Sequence, residues 1–193
     1  MRAMLTPREF GRALFYGEGK KRNYRKAFPL LLQAAREGHV HWQYLTGYAL
    51  ANGLGTSRNL KAARSWYARA AKRGHPGALF NLALMYAQGE GVKKNPKKAF
   101  KLFKKGAREG DARSQCNLGI AYLEGLGTRK NPALGIRWIK GAAKKNDAKA
   151  QYNLALAYLT GEGIRKDQSL ARHWFKKAAK NGNKRALVTL KRF

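Results

Sequence analysis

The sequence predicts an all-α fold, a solenoid of stacked two-helix repeats. Three observations predict it. A Gly-x-Gly pair recurs as Gly17/Gly19, Gly53/Gly55, Gly89/Gly91, Gly125/Gly127 and Gly161/Gly163, always 36 residues apart. The same offset aligns Ala35, Ala71, Ala107, Ala143 and Ala179. Between these marks apolar residues fall at helical spacing, as in the run Ala78 to Tyr86. Strict self-similarity at such a period is the mark of a repeat architecture.

The repeats divide as 40–75, 76–111, 112–147 and 148–183, with a divergent first repeat at 1–39 and a C-terminal cap at 184–193. The whole of 1–193 is expected to form a single solenoid domain. Each repeat opens with a helix that stops at the Gly-x-Gly pair, where glycine supplies the positive-φ conformation that ends helices. Asn23, Asn59, Asn95, Asn131 and Asp167 then stand at the N-cap of the second helix, a position that favours Asn and Asp. Pro96 and Pro132 follow at the first helical position, where a missing N–H costs nothing. The second helix ends near Gly38, Gly74, Gly110 and Gly182, with Asn146 replacing glycine once. His39, His75, Asp111, Asp147 and Asn183 share the next capping column. Pro29 falls inside a second helix of the divergent first repeat. One such hairpin cannot bury its apolar side alone, so the repeats must stack.

Composition narrows the functional classes. The chain has 193 residues, 44% of them hydrophobic, which is enough for a folded core. A single cysteine, Cys116, excludes an intramolecular disulfide and a cysteine-based zinc cluster. The first residues hold no continuous apolar stretch of the signal-peptide kind. No run reaches the roughly eighteen apolar residues of a membrane span. A soluble, cytoplasmic, strongly basic protein is expected.

Catalytic constellations are missing from the sequence. The ten acids are scattered without the spacing of an acid/base pair. The four histidines make no i,i+4 metal pair. Gly17-Glu18-Gly19-Lys20 has Leu14 where a phosphate loop needs its first glycine, and the same Gly-x-Gly recurs in every repeat as a turn. Cys116 replaces an aromatic residue of its column and reads as a small buried or groove thiol. No enzyme activity, cofactor, metal or small-molecule substrate is expected.

The run Ala150-Gln151-Tyr152-Asn153-Leu154, then Tyr158, Gly161-Glu162-Gly163-Ile164, Ala171, Trp174-Phe175 and Lys177-Ala178-Ala179 resembles the Sel-one-like repeat, a longer relative of the tetratricopeptide repeat. The resemblance covers 40–183 fully and 5–39 weakly. It implies a right-handed α-solenoid with first helices lining a concave face and second helices on the convex face. It also implies a protein-binding adaptor, and some bacterial members resemble immunity proteins that neutralise secreted toxins. The chain departs from the cysteine-rich subfamily, whose hairpins carry disulfides. It also replaces Asp by Asn at four of the five capping positions, which keeps the cap and drops the negative charge.

The net charge is +31, from 41 Lys+Arg against 10 Asp+Glu. It is spread over every repeat but unevenly within each. Nearly all of it lies on second helices and the loops before them. One basic ladder is Arg36, Lys72, Arg108, Lys144 and Lys180; a second is Arg22, Arg58, Lys94, Lys130 and Lys166. Cations in a last helical turn gain about 0.3–1 kcal/mol each from the macrodipole, so the first ladder has a structural explanation as well as a binding one. Compensating acids are mostly missing, and self-repulsion of this size opposes compactness.

First helices present a different surface. Their columns Tyr44, Phe80, Cys116, Tyr152 and Tyr48, Leu84, Ile120, Leu156 are aromatic or aliphatic, and Asn81, Asn117 and Asn153 form an amide column. An uncharged groove of this kind suits a peptide segment. The same residues can equally serve packing between neighbouring first helices, and the amide column can bond backbone alone. The leading expectation is a non-catalytic solenoid that engages an acidic protein, in its concrete form an immunity protein against an acidic toxin or effector. The alternative is nucleic acid, held by its phosphates. Against it, Trp66, Trp138 and Trp174 read as a packing column away from the basic face, leaving no stacking platform. An anionic membrane surface ranks third, because the basic helices lack an apolar counter-face for insertion.

Overall fold

The computed structural model describes residues 5–191, all helices and turns. Met1 to Met4 and the Arg192-Phe193 end of the expected C-terminal cap lie outside the described residues. The helices group into two compact units, Met1–Lys94 and Asn95–Phe193. Unit 1 holds α1 (Pro7–Tyr16), α2 (Tyr24–Arg36), α3 (Val40–Asn52), α4 (Leu60–Lys72) and α5 (Pro76–Gln88). Unit 2 holds α6 (Pro96–Arg108), α7 (Ala112–Glu124), α8 (Pro132–Lys144), α9 (Ala148–Thr160), α10 (Gln168–Lys180) and α11 (Lys184–Leu190).

The capping columns define the helix starts. The side-chain oxygens of Asn23, Asn59, Asn95, Asn131 and Asp167 accept from backbone N–H groups three residues on, at 2.8–3.0 Å. Asp111, Asp147 and Asn183 do the same for α7, α9 and α11, and His75 Nδ1 accepts from Ala78. His39 departs from this pattern. It stands at the N-cap of α3 without a side-chain cap bond, because its Nε2 accepts from the Arg8 guanidinium at 2.6 Å instead. Asn146 takes the left-handed conformation in place of glycine, at φ 63°. Pro29 sits inside α2 on its exposed side.

Repeats lock together where backbone meets backbone. From the second repeat on, the second glycine of each Gly-x-Gly pair abuts the start of the preceding repeat's second helix. A Cβ on Gly55 would fall on the Tyr24 carbonyl, and one on Gly127 on the Pro96 carbonyl. At the other end of the same helices, Arg73 donates to Gly38 O at 2.8 Å and Lys145 Nζ to Gly110 O at 2.7 Å. The second helices α2 and α4, and likewise α6 and α8, are therefore tied at both ends.

A buried amide column adds to this. Gln43, Gln115 and Gln151 each donate through Nε2 to the carbonyl of Ala35, Ala107 or Ala143 in the preceding second helix. Gln151 Oε1 accepts from Asn181 at 2.8 Å. Gln43 and Gln115 have Arg73 and Lys145 at the position of Asn181, and those cations reach the glycine carbonyls instead. Their Oε1 atoms accept no hydrogen bond among the described residues.

Candidate functional site

The five second helices carry three, four, six, three and four Lys or Arg in chain order, and none carries an Asp or Glu. The first helices α3 and α5 carry no Lys, Arg, Asp or Glu. In unit 1 the fold thus separates uncharged first helices α3 and α5 from basic second helices α2 and α4; in unit 2, α7 carries Arg113 and Glu124 and α9 carries Lys149.

In unit 1 the first-helix surface centres on aromatic rings. Tyr44 stacks on His75 with ring centroids 4.4 Å apart, and Tyr48 lies 6.3 Å from Tyr44. His75 Nδ1 serves the helix cap, so its Nε2 carries the proton and donates to His41 Nδ1 at 3.3 Å. Burial, and then the charge of Arg12, hold His41 below the ordinary histidine range. An open cavity of about 250 Å³ lies beside these rings, between α3, α4 and α5. Tyr48, Asn81 and Leu84 from the expected groove line it, together with Tyr67, Arg58 and Glu90. The Tyr67 hydroxyl bonds Asn81, and burial pushes its ionisation well above the usual tyrosine range. The cavity has an apolar floor, amide and phenol donors, and one charge of each sign at its edge. Phe80 is half-buried.

In unit 2 the same columns are drawn further into packing. Tyr152 leans on Phe175 with centroids 5.6 Å apart. Ile120 packs on the core around Ile139, and Leu156 on the core around Phe175. Cys116 is 1% exposed, and burial raises its thiol to about 12. The thiol is therefore neutral at pH 8. A disulfide reagent added at pH 8 should leave Cys116 unmodified in the folded chain and label it after guanidinium unfolding. Rapid labelling of native protein would show that the thiol is reachable.

The amide column is not backbone-bound throughout. Asn117 donates to Arg113 O and accepts from Lys149 Nζ at 3.1 Å. Asn153 donates to Cys116 Sγ, and Asn81 meets Tyr67. Only Asn117 follows the backbone pattern, because the Asn81 and Asn153 side chains reach across to a neighbouring helix.

All members of both basic ladders are exposed. The second ladder has local work. Arg22 donates to Tyr16 O and Arg58 to Ala51 O, at the C-terminal ends of the preceding first helices, and Lys130 pairs with Glu162 at 3.6 Å. Trp174 packs as the sequence reading has it, against the cores around Ile139 and Phe175, but the placing of Trp66 and Trp174 away from the basic face is corrected. Trp66, Trp138 and Trp174 are half-buried. The Arg69 guanidinium sits over Trp66 at 4.7 Å and Lys177 over Trp174 at 4.9 Å. Trp66 and Trp174 border the basic surface after all, with ring faces covered by cations one helical turn on, whereas Trp138 has Gly141 at that position. Among the described residues no three His, Cys, Asp or Glu gather as a metal site, and no helix is long and apolar enough to cross a membrane.

The repeats and the fold have counterparts in known proteins. The Sel1 repeat model matches residues 11–39, 43–75, 76–111, 112–147 and 148–183. A Sel1 repeat protein from Oxalobacter formigenes is 32% identical over 95% of this chain and 73% of its own, with a TM-score of 0.90. A protective antigen of uropathogenic Escherichia coli is 28% identical, with a TM-score of 0.85, over 95% of this chain and 39% of the antigen. An immunity protein from Pseudomonas aeruginosa shares the fold at 18% identity, with a TM-score of 0.61, over 93% of this chain and 66% of its own. No curated protein matches the chain in sequence. With five matched repeats over most of its length, the chain belongs to the Sel1 repeat family.

Proposed function

We propose that residues 1–193 act as one non-catalytic solenoid domain that binds an acidic partner protein. Sel1 repeats mediate protein–protein interaction and are generally scaffolds without catalysis. The observation that carries the reading is the uncharged first-helix surface of unit 1. There Tyr48, Asn81 and Leu84 surround a cavity on a chain of net charge +31. Aromatic and aliphatic groups with a few amides suit the buried centre of an interface. The surrounding positive field speeds encounter with an acidic partner. The narrower form is a cytoplasmic immunity protein holding an acidic toxin. Its support is the fold shared with a Pseudomonas immunity protein.

The test is affinity capture from a nuclease-treated native lysate, washed at a salt concentration of about 0.3 M, where charge attraction is screened beyond about 6 Å. One acidic protein retained in stoichiometric amount is the expected result. Loss of every protein after nucleic acid is digested would contradict it.

A further inference from the structure

We infer that the outer surface of the second helices in unit 2 is a docking surface for the phosphate backbone of nucleic acid, separate from the first-helix surface. The argument starts from register. Lys101, Lys104 and Arg108 lie at i, i+3 and i+7 on α6, which places them on one face. One repeat on, Arg137, Lys140 and Lys144 hold the same positions on α8. His173, Lys176 and Lys180 hold them on α10. The backbone contacts already described bring these helices side by side: Gly127 on Pro96 and Lys145 on Gly110 O set α8 against α6. Gly163 on Pro132, 2.6 Å from a Cβ position to the carbonyl oxygen, sets α10 against α8. Trp174 packs on the core that contains Ile139 of α8. The result is a three-by-three grid of eight cations and one histidine. Its members stand about 5–6 Å apart along a helix and on the order of 10 Å apart between helices. All are exposed except Lys104 and Lys140, which are half-buried; Lys140 Nζ rests over the Tyr158 ring at 5.6 Å.

The helix macrodipole does not explain this grid. It accounts for the last-turn column, Arg36, Lys72, Arg108, Lys144 and Lys180, which is basic in all five second helices. The other two columns are basic or histidine only in unit 2. The equivalent positions in unit 1 are Pro29 and Ser65 in one column, Leu32 and Ala68 in the other. General solubility would not distinguish the two units. Nor do acids offset the grid. Asp111, Asp147 and Asp167 accept N–H groups at helix starts, Glu109 stands at the C-cap of α6, Glu124 ends the first helix α7, and Glu162 pairs with Lys130.

Nucleic acid fits this surface better than a protein does. A protein interface needs an apolar centre with charges depleted. On α6, α8 and α10 the only large apolar side chain that is exposed among the described residues is Leu170, in the first turn of α10 and off the grid. Interfaces with nucleic acid are polar and strongly positive, and a duplex offers one negative charge per about 1.7 Å of its length. With Lys177 lying over Trp174, contacts are to backbone and carry no sequence information.

Fluorescence anisotropy of a short labelled duplex and a short labelled single strand, titrated with the full chain across a salt series, tests the assignment. The grid variant Lys101→Gln/Arg137→Gln/Lys176→Gln is compared with Arg25→Gln/Lys26→Gln/Lys61→Gln, which removes equal charge from exposed positions of unit 1 outside the ladders. Circular dichroism confirms that both keep their helices. The grid variant should bind about tenfold or more weakly, with a salt slope shallower by about 2 to 3, and the unit 1 variant should stay within about threefold of the parent. Tighter binding of the duplex or of the single strand identifies which form the surface prefers and supports the assignment either way. Equal losses in the two variants would overturn it, as would displacement of the nucleic acid by polyglutamate at equal charge concentration or absence of binding by the parent at low salt.

Discussion

Gly55→Ala should destabilise the protein by about 3 kcal/mol or more, whereas Gly74→Ala should cost only about 1 to 2 kcal/mol. Both glycines have positive φ, 72° and 82°, so both substitutions place an L-residue in the left-handed region, at roughly 1–2 kcal/mol. The difference is space. A methyl group on Gly74 meets nothing within 4 Å. On Gly55 it meets the Tyr24 carbonyl, which belongs to the first turn of α2 and cannot yield without disturbing that helix. Forced overlap with fixed atoms typically adds 1–3 kcal/mol. Urea or thermal melts of the two variants read the contrast directly. Equal losses would mean that this close approach does not hold successive repeats together.

Phe175→Ala should be the more damaging single change, at about 3–5 kcal/mol. Phe175 is fully buried in a core whose other buried members are Ala155, Ala171, Ala178 and Ala186, with partly buried Tyr152, Leu156, Trp174 and Leu190 packed against it. The fully buried neighbours are alanines, with no side chain that can turn into the vacated space, so collapse of the site depends on the larger residues at its edge and the cost stays within the usual Phe-to-Ala range. For a chain of this length the melting temperature should fall by roughly 10 °C. The loss also reaches the first-helix surface, because Tyr152 loses the ring it leans on and α11 loses its base. A melting temperature within a few degrees of the parent would show that α10 and α11 contribute little to unit 2.

Much of the fold was legible in the sequence because its signals are local. Asn95 followed by Pro96 specifies a helix start through one hydrogen bond and one fixed φ, and the structure places both there. The left-handed Asn146 was legible for the same reason, since it stands alone in a glycine column. The Gln43, Gln115 and Gln151 bonds were not read, although a polar residue recurring at a core position was the available signal. Their acceptors lie in the preceding helix, and Leu79 occupies the slot in one repeat. His39 looked like a cap because its column caps, but the Arg8 guanidinium competes for it across the hairpin.

The candidate site was legible only as columns. Periodicity treats every repeat alike, whereas packing does not. Tyr48 is 38% exposed beside a cavity, while Cys116, one column over and two repeats on, is 1% exposed. The polar character of that cavity depends on Tyr67, whose hydroxyl meets Asn81 where the other repeats have Phe103, Ile139 or Phe175. The grid on unit 2 was hidden inside a charge count that is nearly even along the chain. It emerges only once each cation is assigned to a helix face and compared with its equivalents in unit 1.

The central claim is a division of labour: the first-helix surface of unit 1 holds the protein partner, the second-helix cations act on it through their field, and those of unit 2 also engage nucleic acid. The most direct test is to measure association and dissociation rates of the captured partner with two variants. Tyr48→Ala/Leu84→Ala alters the lining of the cavity, and the triple glutamine grid variant removes charge. Faster dissociation from the first, with the second changed only in a slower association, is the predicted result. Unchanged dissociation from the first, together with rapid dissociation from the second, would contradict the account and place the protein interface on the basic helices.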